Sequence, residues 1–309
     1  MITKLNTLTK NGTPFLVISD FEADKLLVYT IDELQHEDIE FSMSPSITSS
    51  PTPLLKYPIS FESYKKGFDK IIEHIKKGET YLLNYTCTTP IETPLTLKEI
   101  YTKAHAKFKL RYKNEFVCFS PERFIQIQEN TISTYPMKGT IDANTEDAEA
   151  TVLADEKELA EHIMVVDLLR NDLGIVAKEI KVKKFRYVEK LETGSKTLLQ
   201  VSSHITGTLH NTWRNNFGML FKKLLPAGSI TGTPKRSTVR IIKEIEDHQR
   251  GFFTGVFGYF DGHNFESAVM IRFIEKHDDK LIYKSGGGIT LESSCAKEYQ
   301  EMLDKIYIP

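Results

Sequence analysis

Residues 122–140, "ERFIQIQENTISTYPMKGT", read as one antiparallel hairpin that ends in a lysine. Phe124, Ile125 and Ile127 lead into the turn "QENT", and Ile132 and Tyr135 lead out of it. A turn centred on Glu129 and Asn130 sets Glu122 opposite Lys138, with Cβ atoms roughly 5 Å apart. Lysine is a poor strand residue, and the glycine after it marks a bend or a close backbone approach. Two readings stay open from these residues alone. The pair is either a cross-strand ion pair worth about 0.2–1 kcal/mol, or an amine nucleophile beside a carboxyl acid that serves a leaving group.

Outward from the hairpin the chain mixes strands and helices without regular alternation. Strands are predicted at 115–119, 122–128 and 131–137, then at 252–260, 265–275 and 280–285. The first 30 residues, with "PFLVIS" and "KLLVYTI", read as strands, and "TYLLNYTCTTPI" as another. Helical spacing covers "FESYKKGFDKIIEHIKKGE" from Phe61, where Tyr64, Phe68, Ile71, Ile72 and Ile75 share a face, and "TLKEIYTKAHAKF". Further helices are expected at about 155–173, 234–247 and 295–307, and an irregular Ser/Thr/Pro-rich connection at 42–60. Meandering strands among helices make the fold class α+β rather than a doubly wound sheet.

Composition narrows the function. A formal net charge of −2 with no long basic run removes the electrostatic footprint of nucleic-acid binding. No apolar run approaches membrane-spanning length, and "MITKLNTLTKNG" lacks the layout of a signal peptide. Cys87, Cys118 and Cys295 are scattered and odd in number, which reads as reduced thiols of a cytoplasmic protein.

Three further stretches can carry chemistry. In "DEKELAEHIMVVDLLRNDLG", Asp155 and Glu158 resemble a capping box, and Glu161 sits one turn before Val165 on a largely apolar helix. A carboxylate there needs a cation, a metal or a proton. The last helix carries Glu298 and Glu301 on one face, with Glu301–Lys305 spaced as a surface pair. Upstream, Gly286, Gly287 and Gly288 offer bare backbone N–H groups to an anion, or simply a bulged strand end. In "LLPAGSITGTPKRSTVRIIKEIE", Ser229, Thr231 and Gly232 precede a helix start, the usual composition of an anion cradle. It is not a Walker A loop, because Gly232 is followed by Thr-Pro-Lys.

Together "GETYLLNYT", "SPERF", "YPMKGT", "LAEHIMVVDLLRNDLG", "LPAGSITGTPKRSTVRIIKEIE", "RGFFTGVFGYFD", "SAVMIRF" and "SGGGITLESSCAKEYQEM" resemble the chorismate-utilising enzymes, in family order. The resemblance implies mainly antiparallel sheets in a sandwich flanked by helices. A chorismate-binding catalytic domain would span 61–309, with the strand-rich segment 1–60 added to the same body. The lysine of "PMKGT" looks like the aminodeoxychorismate synthase branch, since anthranilate synthases typically carry alanine there.

By that resemblance Lys138 attacks C2 of chorismate and Glu122 protonates the departing C4 hydroxyl, before ammonia displaces the lysine. The product would serve p-aminobenzoate and folate synthesis. Glu161 and Glu301, assisted by Glu298, would hold Mg²⁺, a hard cation suited to oxygen ligands. Arg272 and Tyr259 would contact the substrate's carboxylate or pyruvyl group, and Ser229, Thr231, Gly232 and Gly286–Gly288 its remaining anionic atoms. Burial against Phe124 and Tyr135, with Mg²⁺ and Arg272 near, would lower the pKa of Lys138, and Glu122 would be mostly protonated. Ammonia would come from a separate glutaminase subunit, because no glutaminase-type Cys-His-Glu segment is seen. Gln200 stands where the family often has histidine, and no tryptophan-binding segment is found. The alternatives are an anthranilate or isochorismate synthase, or a non-catalytic homologue that docks a glutaminase.

Overall fold

The computed structural model describes residues 1–44, 53–193 and 196–309. Helix α1 (Ile2–Asn11) precedes strands β1 (Phe15–Ser19) and β2 (Leu26–Thr30), the turn of helix α2 (Ile31–Leu34), and strands β3 (Ile39–Ser42) and β4 (Leu55–Lys56). Helix α3 (Phe61–Lys76), β5 (Leu82–Glu92), α4 (Leu97–Lys103) and strands β6 (Phe108–Tyr112) and β7 (Phe116–Ser120) follow. The opening hairpin supplies β8 (Arg123–Gln128), β9 (Thr131–Thr134) and β10 (Met137–Asp142). Helices α5 (Ala148–Ala154) and α6 (Glu156–Gly174) lead to the long strands β11 (Lys178–Thr193) and β12 (Lys196–Thr208). Helix α7 (Phe217–Leu224), β13 (Gly232–Thr233), α8 (Lys235–Ile245), β14 (Val256–Phe260), β15 (Phe265–Val269), β16 (Phe273–His277), β17 (Lys280–Ile289) and α9 (Cys295–Asp304) complete the chain.

The strands form two antiparallel sheets. One runs β10-β12-β9-β8-β15-β14-β1-β2 with β11 on β12; the other runs β13-β5-β17-β16-β7-β6-β3 with β4 on β5. Alternation along β1 explains the layering. Leu16 and Ile18 pack with Phe257, Phe108, Leu110 and Phe273 between the sheets. Phe15 and Val17 face the opposite way, into the core that includes Phe217 and Phe221 of α7. Every β1 residue is therefore buried, as in a central strand covered on both sides. This is the α+β sandwich flanked by helices.

Several sequence readings need correction. Residues 2–11 are helix, because their buried positions, Leu5 and Thr9, are spaced by four rather than two. The α1 face docks on α7, where Gly218 N–H donates to Asn6 Oδ1 at 2.8 Å. The β11–β12 hairpin has no counterpart in the sequence reading. Its lysine-rich outer strand lacks alternation, and lysine is the usual guard of an exposed edge. The strand expected at 265–275 is two strands in different sheets, broken at Arg272, whose φ is +51°. The strand expected at 280–285 runs on to Ile289, so the three glycines lie inside it. Part of the irregular connection expected at 42–60 falls outside the described residues.

The hairpin keeps its expected register near the turn but ends early. Ile127↔Ile132 and Gln128↔Thr131 pair as the turn requires, but the ladder stops before Glu122 and Lys138 meet. Pro136 has no N–H to give the ladder. Its carbonyl instead accepts from Ser203 N at 2.9 Å, and β10 leaves to pair with β12.

Candidate functional site

That divergence separates the two residues expected to pair and gives each a new neighbour. Lys138 is carried across α6, where its Nζ meets Glu161 Oε2 at 2.6 Å. Glu161 is almost fully buried, while about a quarter of the Lys138 side chain is exposed. Asp155 caps α6 by accepting from Glu158 N at 2.9 Å, and spacing by three puts Glu158 beside Glu161. Burial opposes the charge on Lys138, but Glu161 and Glu158 outweigh it and hold the pKa above the ordinary lysine value. The expected lowering is thus reversed: a lysine seated between two carboxylates keeps its proton.

Glu122 lies at the other end. Its Oε1 accepts from Ser229 Oγ. Burial pushes this carboxyl upward; the Ser229 hydroxyl, Arg272 and Lys305 pull it back without reversing the shift. Ser229 sits on a short turn at Gly228–Ile230, pressed so closely onto α6 that a Cβ on Gly228 would stand 2.6 Å from Asp172 Oδ2. Arg250 secures the turn from the far side, donating to Ile230 O at 2.9 Å and to Asn84 O at 2.6 Å.

Between these ends lies the β17 backbone. β16 accompanies β17 only as far as the Phe273↔Lys284 pair, so beyond it the glycines are laddered to β5 alone. Gly286 fits tightly against that strand, where a Cβ would stand 2.1 Å from Tyr85 O. Gly287 faces outward. A Cβ there would lie 3.5 Å from Lys305 Nζ and 3.6 Å from both Glu298 Oε2 and Glu301 Oε1. Lys305 Nζ donates to Gly286 O at 2.8 Å and pairs with Glu301 Oε1 at 2.7 Å. Burial lowers its pKa despite Glu301, and Arg272 and Lys138 push the same way. The spacing had marked Glu301–Lys305 as a surface pair, yet Lys305 stands within electrostatic reach of Lys138, Arg272 and Glu122 together. Only the tertiary fold brings those groups around it.

Arg272 reaches this space because the break between sheets turns it out of both ladders. Tyr307 lies under its guanidinium, 5.5 Å from ring centroid to Cζ, and its Nε is buried without a hydrogen bond. Other expected site residues go elsewhere. Tyr259 faces Phe41, ring centroids 5.2 Å apart, because strand alternation turns it to the side of Phe257. Thr231 uses its hydroxyl on Ala227 O at 2.6 Å and its N–H on Gly228 O at 3.1 Å to close the turn. Gly232, at φ +124°, pairs with Leu83 so closely that a Cβ would meet Leu82 O. These two hold the cradle's shape. Gln200 pairs with Thr140, two residues after Lys138 on β10.

His162 was missed, since a histidine on an apolar helix gave no signal of its own. It is fully buried and shares a 2.7 Å hydrogen bond with Ser203 through Nε2. Burial brings its pKa down to about 4, so the ring is neutral.

A hard divalent cation suits the donor chemistry of Glu161, Glu298 and Glu301. Two of these carboxylates converge above Gly287, and the third is buried. Among the described residues no three acidic, histidine or cysteine side chains already form a metal cage. Lys138 and Lys305 neutralise Glu161 and Glu301, and Glu298 accepts from Ser293 Oγ at 2.8 Å. No helix among the described residues is long and apolar enough to cross a membrane.

Comparison with known proteins matches residues 9–309 to the chorismate binding enzymes. The chain is 45% identical to an uncharacterized PabA-like protein of Haemophilus influenzae, covering all of this chain and 96% of that one. It is 28% identical to aminodeoxychorismate synthase component 1 of Bacillus subtilis over 81% of this chain and 55% of that protein. The solved structure of the menaquinone-specific isochorismate synthase from Escherichia coli superposes with a TM-score of 0.68 at 16% identity. That match covers 97% of this chain and 89% of the other, and shows the shared fold.

Proposed function

Because this chain belongs to the chorismate binding enzymes, we propose that it is the synthase subunit that aminates chorismate to 4-amino-4-deoxychorismate. The observation that carries this reading is Lys138, whose charge reaches Lys305, which in turn lies in the field of Arg272 and of the Glu122 carboxyl. A family member without an amine here has no covalent route.

The substrate's carboxylates face Arg272, Lys305 and the backbone edge of Gly286–Gly288. Lys138 first gives up a proton to bulk base as its ion pair with Glu161 Oε2 opens. Its Nζ forms a bond to C2, the ring double bond migrates, and the C4–O bond breaks. Glu122, held towards its protonated form by burial, gives its proton to the leaving oxygen, which departs as water. Ammonia then bonds to C4, the double bond returns, and the C2–N bond to Lys138 breaks, the proton shed by the incoming nitrogen passing to the departing lysine amine. Ammonia would come from a separate glutaminase subunit. Mg²⁺, held by Glu161, Glu298 and Glu301, would neutralise a substrate carboxylate and so favour its binding.

Product analysis tests the reading. Chorismate, Mg²⁺ and ammonium salt should yield aminodeoxychorismate. Anthranilate or isochorismate would assign the chain to another branch of the family, and no product under any ammonia supply would favour a docking homologue.

A further inference from the structure

Helix α6 does more than present Glu161. Eleven residues further along, on the same face by helical periodicity, Asp172 is almost fully buried under the turn that carries Ser229. Its Oδ1 pairs with Lys235 Nζ at 2.8 Å, and Lys235 also donates to Leu224 O at 3.2 Å. Its Oδ2 is buried against Gly228, beside that residue's main-chain N–H, without a hydrogen bond of good geometry. The contact is close enough that any side chain at Gly228 would strike Oδ2 at 2.6 Å and Leu168 Cγ at 3.2 Å. One residue on, Ser229 Oγ donates to Glu122. A single rigid rod therefore touches both ends of the site, Lys138 through Glu161 and Glu122 through the Gly228–Ser229 turn.

We propose that Asp172 is a positioning residue that sets the Ser229–Glu122 hydrogen bond by seating the Gly228 turn on α6. The proposal rests on Glu122 being the acid of the proposed reaction, and its first test does not. A buried carboxylate braced by Lys235 is a stiff seat, since losing either partner leaves an uncompensated charge. Arg250 clamps Ile230 and Thr231 N–H closes on Gly228 O, so the seat of Gly228 on α6 is Asp172, with Leu168 beside it. The groups facing Glu122 are Ser229 from this turn, Arg272 from the break between sheets and Lys305 from α9. Of these, Ser229 is the one whose place depends on Asp172.

The Ser229 hydroxyl stabilises the ionised form of Glu122, so loosening it raises the carboxyl pKa. The test is titration of Glu122 by carbon-13 NMR in glutamate-labelled protein, with the signal assigned by its loss in Glu122→Gln. Asp172→Ala and Ser229→Ala should raise the Glu122 pKa by similar amounts, and the double variant no further. In turnover, Asp172→Ala should lower kcat about tenfold with KM within about twofold, and move the alkaline limb of the kcat profile upward.

Should Asp172→Ala fold poorly, Asp172→Asn keeps the shape but loses the charge facing Lys235. Gly228→Ala displaces the turn directly. Both should raise the Glu122 pKa. If the pKa moves in Ser229→Ala but not in the Asp172 or Gly228 variants, or if the effects of Asp172→Ala and Ser229→Ala simply add, the inference is overturned. If Glu122 responds as expected but Glu122→Gln turns over normally, the seating stands and the acid assignment fails.

Discussion

The two ends of the site are built on opposite principles. At one, Lys138 and Glu161 are opposite charges 2.6 Å apart, and the carboxylates hold the proton on the lysine. At the other, Glu122 and Ser229 share a hydrogen bond in surroundings that favour the uncharged acid. The first end has to lose a proton before it can act as a nucleophile. The second is already biased towards the form that donates one. In the reaction proposed above, the acid would thus be armed at rest and the nucleophile sheathed.

The most severe way to break the contrast is to remove the lysine. Lys138→Ala should lower aminodeoxychorismate formation by roughly 10³-fold or more, the scale seen when a catalytic nucleophile is lost. Residual amination by direct attack of ammonia at C2 should give an anthranilate-like product. Mass spectrometry of wild type quenched with chorismate, without ammonia, should show a covalent adduct that the alanine variant lacks. The substitution also removes the 2.6 Å ion-pair partner of the buried Glu161, so thermal unfolding should show a loss of up to about 3 kcal/mol. Adding Glu161→Gln should recover much of it.

Glu122→Gln should cost about 10²–10³ in kcat with almost no change in Tm, because the amide imitates a carboxyl already held towards neutrality. Equal losses of stability at both ends would erase the distinction. The pH dependence sharpens it further. The folded pKa of Glu122 lies above the ordinary 4.5, so its proton is retained to higher pH and lost as pH rises through the raised value. Activity that needs this acid falls on that alkaline side. By linkage the same group contributes stability that is complete below pH 4.5 and lost as pH climbs through the folded value. Chemical denaturation across that window should show a fall in wild type that Glu122→Gln flattens.

The floor between the two ends gives the smallest effect on turnover. Gly287→Ala places a methyl beside three charged tips that can yield, and should raise the KM for chorismate a few-fold with unchanged unfolding. Gly286→Ala drives a methyl into the Tyr85 carbonyl and should instead cost roughly 1–3 kcal/mol of stability.

The sequence made some of this legible and hid the rest for identifiable reasons. Local signals carried the α6 start at Asp155, the amphipathic α3 and the tight register around "QENT". Residue types pointed to Lys138, Glu122 and the acidic pairs. What a local reading could not supply was direction. Pro136 breaks the ladder, and nothing within the hairpin says that the strand beyond it joins β12 or that Lys138 then meets Glu161. Arg272 hides a change of sheet inside an apparently continuous apolar run. Lys305 looked like half of a surface pair because i,i+4 spacing holds in solvent and in a cleft alike. Tyr259 had the right chemistry on the wrong side of its strand.

The break at Arg272 has one more consequence. One residue both turns the backbone from the first sheet into the second, in a left-handed conformation that side chains rarely adopt, and offers its guanidinium to the cleft. Glycine would make the turn more easily but remove the cation. Lysine would keep the charge, lose the planar fork and leave the awkward backbone as it is. In the reaction proposed above, architecture and recognition would be written in a single codon, and neither could drift without disturbing the other.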